Sequence, residues 1–336
     1  MKLLIIRFSS IGDIVLTTPV IRCLKKQIPD VEIHYLTKKS FQPVINNNPY
    51  INKAHYLEDN FHELMERLND ENFDYIIDLH HNLRTLKVKR FLKKKSFSFN
   101  KLNIEKWLMT AFKINRLPTA HIVDRYMETV QSFGIKNDGA GLDYFINETD
   151  KVKESDIPAA HHAGYIAVVT GAAVNTKKYP LHKLKDLCAS LDHPIILLGG
   201  SEDAENGNEI SAIDSIKIYN ACGKFSLNES ADLVRRAKLV VTNDTGLMHI
   251  ATAFKRPVIS LWGNTIPEFG MYPYYGENYL RSSEKLPYDI LEIKNLSCRP
   301  CSKIGYKKCP KGHFKCMELI DTNEIINKIE NRIRKK

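Results

Sequence analysis

From its first residues the chain alternates between short β-branched apolar runs and segments with helical spacing, a pattern that parallel sheets covered by helices satisfy. Lys2 to Phe8 is such a run; small residues and Gly12 follow, then a helical pattern from Asp13 to about Gln27. Further strand-like runs begin at Val31, Ile51 and Tyr75. The pattern weakens between about Lys101 and Ser155, where one helix is predicted over Val123 to Phe133. It restarts with runs from Tyr165, Pro194, Ser215, Lys238 and Pro257. The fold class expected is α/β, with two Rossmann-like, doubly wound parallel-sheet domains over 1–155 and 156–322. A last helix, Asn323 to Arg334 within 323–336, is expected to pack back on the first domain. A length of 336 residues suits two domains of ordinary size. Ligand-binding loops then belong at the carboxyl ends of the strands, with the active site expected in the cleft between the domains.

An apolar share of 43% against 26% charged residues supports packed cores and argues against disorder. The opening MKLLIIRFSS lacks the longer apolar core of a signal peptide, and no later run approaches the roughly 18 apolar residues that span a bilayer. The expected location is the cytoplasm. A net charge of +10 favours an anionic partner such as nucleic acid, a phosphorylated glycan or a membrane surface, without choosing among them. The densest basic stretch, Lys87 to Lys95, is read as a solvated face, and the terminal NRIRKK as a solubilising helix end.

Two stretches concentrate chemistry. Ser9, Ser10, Ile11, Gly12 and Asp13 sit at a strand-to-helix turn, where free backbone N–H groups can meet a ligand. Asp13 serves either as a helix-start carboxylate or as a general base, and the two roles compete because a helix N-terminus lowers basicity. Asn243, Asp244, Thr245 and Gly246 cross from a β-rich run into a second helix, and His249 lies one turn beyond Thr245. Such a helix start suits a diphosphate, although a plain N-cap explains the same residues. Asp78, His80, Asn82 and Arg84 follow the strand beginning at Tyr75 and are read as acceptor contacts or as caps of the next helix. Seven cysteines without a signal peptide point to reduced thiols. Four of them, Cys298, Cys301, Cys309 and Cys316, form C-x2-C-x7-C-x6-C; free thiols are favoured there over structural zinc.

Taken together, SSIGDIVLTTPV, FDYIIDLHHNLRT, HIVDRYMETVQSFG, TKKYP, LLGGSED, ACGKFSLNESADLVRRA and NDTGLMHIATAFKRPVISLWG resemble glycosyltransferase family 9, the heptosyltransferases, along nearly the whole chain. The resemblance implies a GT-B fold, a nucleotide-sugar donor on the second domain, an acceptor on the first, and inversion at the anomeric carbon. It implies Asp13 as base, with Ser9, Ser10 and Gly12 beside the acceptor. It implies Lys177 near the donor diphosphate, Glu202 at the ribose, and Asp244, Thr245, Gly246 and His249 as the donor motif. Gly171, Ala172 and Ala173 stand where some members carry hydroxyl residues before the lysine. No Asp-x-Asp occurs, so no carboxylate pair of the common kind holds a metal on the diphosphate; no catalytic metal or other cofactor is expected. The favoured partners are ADP-heptose and an anionic glycolipid, phosphorylated lipid A with Kdo. Peripheral association with the inner face of the inner membrane is a further expectation, and nucleic acid is not expected as a partner. Another nucleotide sugar and another surface glycan form the alternative. A nicotinamide dehydrogenase is disfavoured because no GxGxxG follows the first strand; a non-enzymatic binder of anions is the rival from another class.

Overall fold

A computed structural model describes residues 1–58 and 60–333. Contacts divide it into two units. The first comprises Met1–Leu102, Ala120–Phe145 and Gly276–Tyr279; the second comprises Asn103–Thr119, Ile146–Tyr275 and Leu280–Lys336.

The first unit is built on five strands, β1 (Lys2–Ile6), β2 (Glu32–Lys38), β3 (Lys53–Leu57), β4 (Tyr75–Asp78) and β5 (Lys95–Ser98), in the order β3-β2-β1-β4-β5. All neighbours are parallel. Leu3, Leu4, Ile5 and Ile6 have no exposed surface, as a central strand covered on both faces requires. The second unit carries six strands, β6 (Ile166–Val169), β7 (Ile195–Leu198), β8 (Ile218–Asn220), β9 (Leu239–Asn243), β10 (Val258–Trp262) and β11 (Tyr288–Glu292), also all parallel, in the order β11-β10-β9-β6-β7-β8. The α/β expectation of two doubly wound sheets therefore holds. In each sheet the strand order reverses once, between β1 and β4 and between β9 and β6, and the crevice outside the carboxyl ends of such strands is where open α/β sheets bind ligands.

Several elements differ from expectation. The end of the basic stretch, Lys95, begins β5 instead of extending a helical or loop face. The helix expected over Val123 to Phe133 is α-helical only over Ile122–Met127 and continues as a 3-10 helix over Glu128–Phe133. Helix Asn103–Phe112, not foreseen, belongs with the second unit although it precedes the expected boundary at 155. The last helix runs Thr322–Ile333, and Arg334 lies outside the described residues. Its Ile325 and Ile329 are fully buried in the core of the second unit, among Leu184, Leu187 and Leu261. Its apolar stripe is thus buried within the second unit.

One short segment arrives late in the first unit. Asn278 donates from its backbone to the Gly139 carbonyl at 3.0 Å and from its side chain to the Asp138 carbonyl at 2.9 Å. Gly276 has a φ of +82°, and a Cβ there would lie 2.2 Å from the Gly141 nitrogen, so only glycine fits this approach.

Candidate active site

At the carboxyl end of β1 the backbone turns into helix Ile11–Val15, with Ser10 as its N-cap. Asp13, at the third helical position, accepts from the Ser10 backbone N–H at 3.1 Å and from the Ser10 hydroxyl at 2.8 Å. Its other oxygen pairs with Arg7 at 2.5 Å. Arg7 is itself buried; it donates to the Leu79 carbonyl at 2.6 Å, the Ser9 carbonyl at 2.7 Å and the Tyr126 hydroxyl at 3.0 Å. Burial pushes the Asp13 carboxyl up, but the guanidinium and the Ser10 donors outweigh it, and the group titrates below the usual carboxylate range. Of the two readings of Asp13, the helix-start carboxylate is the one these bonds describe. Asp13 caps its helix, and it is an ionised carboxylate whose basicity the same partners restrain. Gly12 is buried in that turn, whereas Ser10 is exposed and Ser9 half-buried.

The β4 loop shows which of the four polar residues there are structural. Asp78 is fully buried; one oxygen accepts from the backbone N–H groups of His80 at 3.1 Å and His81 at 2.7 Å, and the other pairs with Lys89 at 2.8 Å. Asn82 caps helix Leu83–Leu92, accepting from the N–H groups of Arg84 and Thr85 at 2.9 Å each. For Asp78 and for the Asn82 Oδ1 the capping reading is thus the one that these bonds describe. His80 and Arg84 remain as candidates. His80 packs edge-on against Phe8, and its Nδ1 is buried without a hydrogen-bond partner. Burial, with Arg7 nearby, pushes its pKa down to about 4, so the ring is neutral at physiological pH. Arg84 exposes its guanidinium, 5.9 Å from the centre of the Phe8 ring.

In the second unit the corresponding place is the carboxyl ends of β6 and β9. Buried Asn243 accepts from the Tyr179 backbone N–H at 3.1 Å and donates to the carbonyls of Val169 at 3.2 Å and Gly171 at 3.3 Å, tying the loop after β6 to the end of β9. This tie brings Lys177 to Asp244, with Nζ 2.6 Å from Oδ2, and Thr265 after β10 donates to the same oxygen at 2.9 Å. Thr245 is the N-cap of helix Gly246–Ala253 and makes no side-chain cap bond. Gly246 is half-buried, and His249 lies in the first turns with 2% exposure. An ammonium, a hydroxyl and a helix N-terminus thus cluster at one strand end, a combination suited to a diphosphate.

Glu202 is exposed in the turn Ser201–Asp203, folded over Gly200, where a Cβ would lie 2.2 Å from its carboxylate. Beside it, buried Asp203 pairs with Lys178 at 2.5 Å. The glycine at 171 has a structural reason. A Cβ there would lie 2.5 Å from the Asp203 Oδ2, so a hydroxyl-bearing residue does not fit without displacing that pair. Cys298, Cys301, Cys309 and Cys316 line a small cavity in this unit.

Sequence reasoning missed Arg7, Asn243 as a tie, and Thr265. Arg7 carried a signal, a charge at the end of a strand otherwise buried throughout; Thr265 carried none, since it reaches Asp244 only through the pairing of β10 with β9.

The profile of glycosyltransferase family 9 (heptosyltransferase) matches residues 61–287. Lipopolysaccharide heptosyltransferase 1 of Campylobacter coli is 26% identical over 290 residues, covering 79% of this chain and 84% of its own. A family 9 glycosyl transferase from Veillonella parvula superposes with a TM-score of 0.78 at 23% identity over 100% of this chain and 98% of its own. The E. coli ADP-heptose LPS heptosyltransferase II does so with a TM-score of 0.71 at 19% identity, over 99% and 98%. The match to the family over two thirds of the chain, on the two-sheet fold that its solved members share, places this protein in glycosyltransferase family 9 as a glycosyltransferase.

Proposed function

We propose that the enzyme transfers heptose from ADP-heptose to the inner core of a lipopolysaccharide acceptor, with inversion at the anomeric carbon. Asp13 takes the proton of an acceptor hydroxyl as that oxygen attacks. Lys177 and the start of helix Gly246–Ala253 balance the charge that develops on the departing diphosphate, and Glu202 accepts from the ribose hydroxyls. The observation that carries this reading is the Lys177, Asp244 and Thr265 cluster at a helix N-terminus. The donor sugar follows the C. coli relative, whose name gives heptosyl transfer, and the E. coli enzyme named for ADP-heptose. A thermal-shift comparison of ADP, UDP, GDP and CMP with their sugars tests it. Stabilisation by adenine diphosphates, lost in Asp244→Ala, supports the assignment; selective response to another nucleotide rejects the donor.

The proposal extends to peripheral attachment at the cytoplasmic face of the membrane that carries the acceptor. Among the described residues no helix is long and apolar enough to cross a bilayer. Helix Asn103–Phe112, however, exposes 70% of Ile104, 56% of Trp107 and 58% of Phe112, with Lys113 and Arg116 close behind. Apolar side chains beside cations suit an anionic interface. Co-sedimentation with anionic vesicles, weakened by Trp107→Glu, is the expected result; unchanged sedimentation refutes the attachment.

A further inference from the structure

Three of the seven cysteines, Cys23, Cys188 and Cys222, are buried singly and behave as small apolar residues. The other four differ. Cys298, Cys301 and Cys309 come from the loop after β11 and Cys316 from the short helix Lys315–Glu318 that follows it, and all four line one small cavity together with His313 and Asn264. Cys298, Cys301 and Cys309 are only half-buried, so core packing does not account for them.

Two contacts bear on what the cavity takes. Cys298 Sγ lies 3.8 Å from His313 Nε2. His313 Nδ1 accepts from the Lys315 backbone N–H at 3.0 Å, so the proton of the neutral ring sits on Nε2 and faces the sulfur. The imidazole is thereby a donor to a thiolate, and the four sulfurs are left as ligands. Independently, Asn264 lines the same cavity with 2% exposure, and neither its Oδ1 nor its Nδ2 has a hydrogen-bond partner. An unpaired buried amide is costly, and a sulfur carrying negative charge is an acceptor that would satisfy its N–H.

We propose that Cys298, Cys301, Cys309 and Cys316 bind one soft transition-metal ion, zinc or iron, as four thiolates, with His313 and Asn264 donating to the sulfurs. Each cysteine gives up its proton on binding. No three of these cysteine and histidine side chains have their donor atoms all within 4.8 Å of one another, so binding draws the loop inward. The set His34, His55 and Glu71 does meet that distance, but Glu71 already pairs with Lys2 and Lys53, whose charges oppose a cation.

The loop matters to the enzyme because it clasps the diphosphate cluster. Tyr306 exchanges hydrogen bonds with Thr176, next to Lys177: its N–H donates to the Thr176 hydroxyl at 2.8 Å, and its carbonyl accepts from the Thr176 backbone at 3.1 Å. Arg299 donates to the carbonyls of Gly263 at 2.6 Å and Thr265 at 2.8 Å. A metal that fixes the loop therefore makes the four cysteines positioning residues for Lys177 and Thr265.

Elemental analysis of the purified full chain for zinc and iron tests the proposal, followed by chelation and reconstitution with Co2+. The expected result is about one equivalent of one metal and the intense visible spectrum of tetrathiolate Co2+. Cys309→Ser and Cys301→Ser should lose both while keeping the far-ultraviolet circular dichroism of the wild type, and His313→Gln should keep the metal. Substoichiometric metal together with no tetrathiolate spectrum overturns the site. Metal retained in both cysteine variants marks an adventitious ion only and overturns it equally. Neither readout uses turnover, so failure here is distinguishable from failure of the heptosyl assignment.

Discussion

Asp13→Asn is the substitution that probes the proposed chemistry most directly, because asparagine keeps the shape of the carboxylate and can still accept from the Ser10 donors. What it removes is the negative charge beside Arg7 and the ability to take a proton. General-base contributions run to about 10²–10⁴ in rate, roughly 3–5 kcal/mol of barrier. Arg7 holds the Asp13 carboxyl below its ordinary range and so limits its basicity, which places the expected loss in the lower half, at about 10²–10³ in kcat. The cost in stability is separable. At 2.5 Å and an effective dielectric constant near 20, the gross attraction of the pair is roughly 7 kcal/mol, most of it offset by desolvation. Arg7 keeps three oxygen acceptors in the variant, so the net loss should be about 1–3 kcal/mol. Single-turnover transfer from ADP-heptose, urea unfolding and calorimetric ADP binding would be measured together. A kcat within tenfold of wild type, with a folded protein and unchanged ADP affinity, refutes the assignment of Asp13 as base.

Lys177→Met should lower turnover by about 10²–10³ and weaken ADP binding, since it removes the ammonium proposed to face the diphosphate while leaving Asp244 its hydrogen bond from Thr265; steady-state kinetics with calorimetry read both. Burial, and then His34, depress the His55 pKa to about 4, so the unfolded chain binds more protons between about pH 4 and 6.5 and stability must fall as pH drops through that window. The expected contribution is up to roughly 3 kcal/mol, and urea unfolding from pH 7 to pH 4 should show a flatter slope in His55→Gln. Asp13 has the same sign at lower pH: its contribution is complete above the ordinary carboxylate range and disappears as pH falls through its depressed value. Leu197→Ala, in the fully buried middle of β7, should cost about 2–5 kcal/mol in denaturant unfolding without altering the ADP response beyond that expected from stability.

The central strands were legible because both of their faces are covered: KLLII and LVVTN read as apolar runs in any window. Two of the edge strands, β5 and β11, were not. KSFS of β5 and YDILE of β11 have one neighbour each and expose part of their surface, so their composition resembles loop. At the site, residues on a strand-to-helix turn could be found from local chemistry, which is how Asp13, Asp244 and Thr245 were reached. The pairing of Lys177 with Asp244 joins residues 67 positions apart and depends on strand order, which no local pattern reports. Caps and ligands share residue types, and that is why Asp78 and Asn82 read equally as acceptor contacts and as caps: local sequence does not report their bond partners.

The return of Gly276–Tyr279 to the first unit bears on how the protein is made. Folding during synthesis ordinarily lets an amino-terminal domain complete itself before the next emerges. Here the segment around Gly139 and Gly141 waits for partners more than a hundred residues downstream, so the first unit acquires its last hydrogen bonds only after most of the second has been translated. A fragment ending at residue 155 would therefore lack the segment that Asn278 ties to Asp138 and Gly139. Its maturation on the ribosome is expected to stall in a state that chaperones or proteases can distinguish from the finished enzyme.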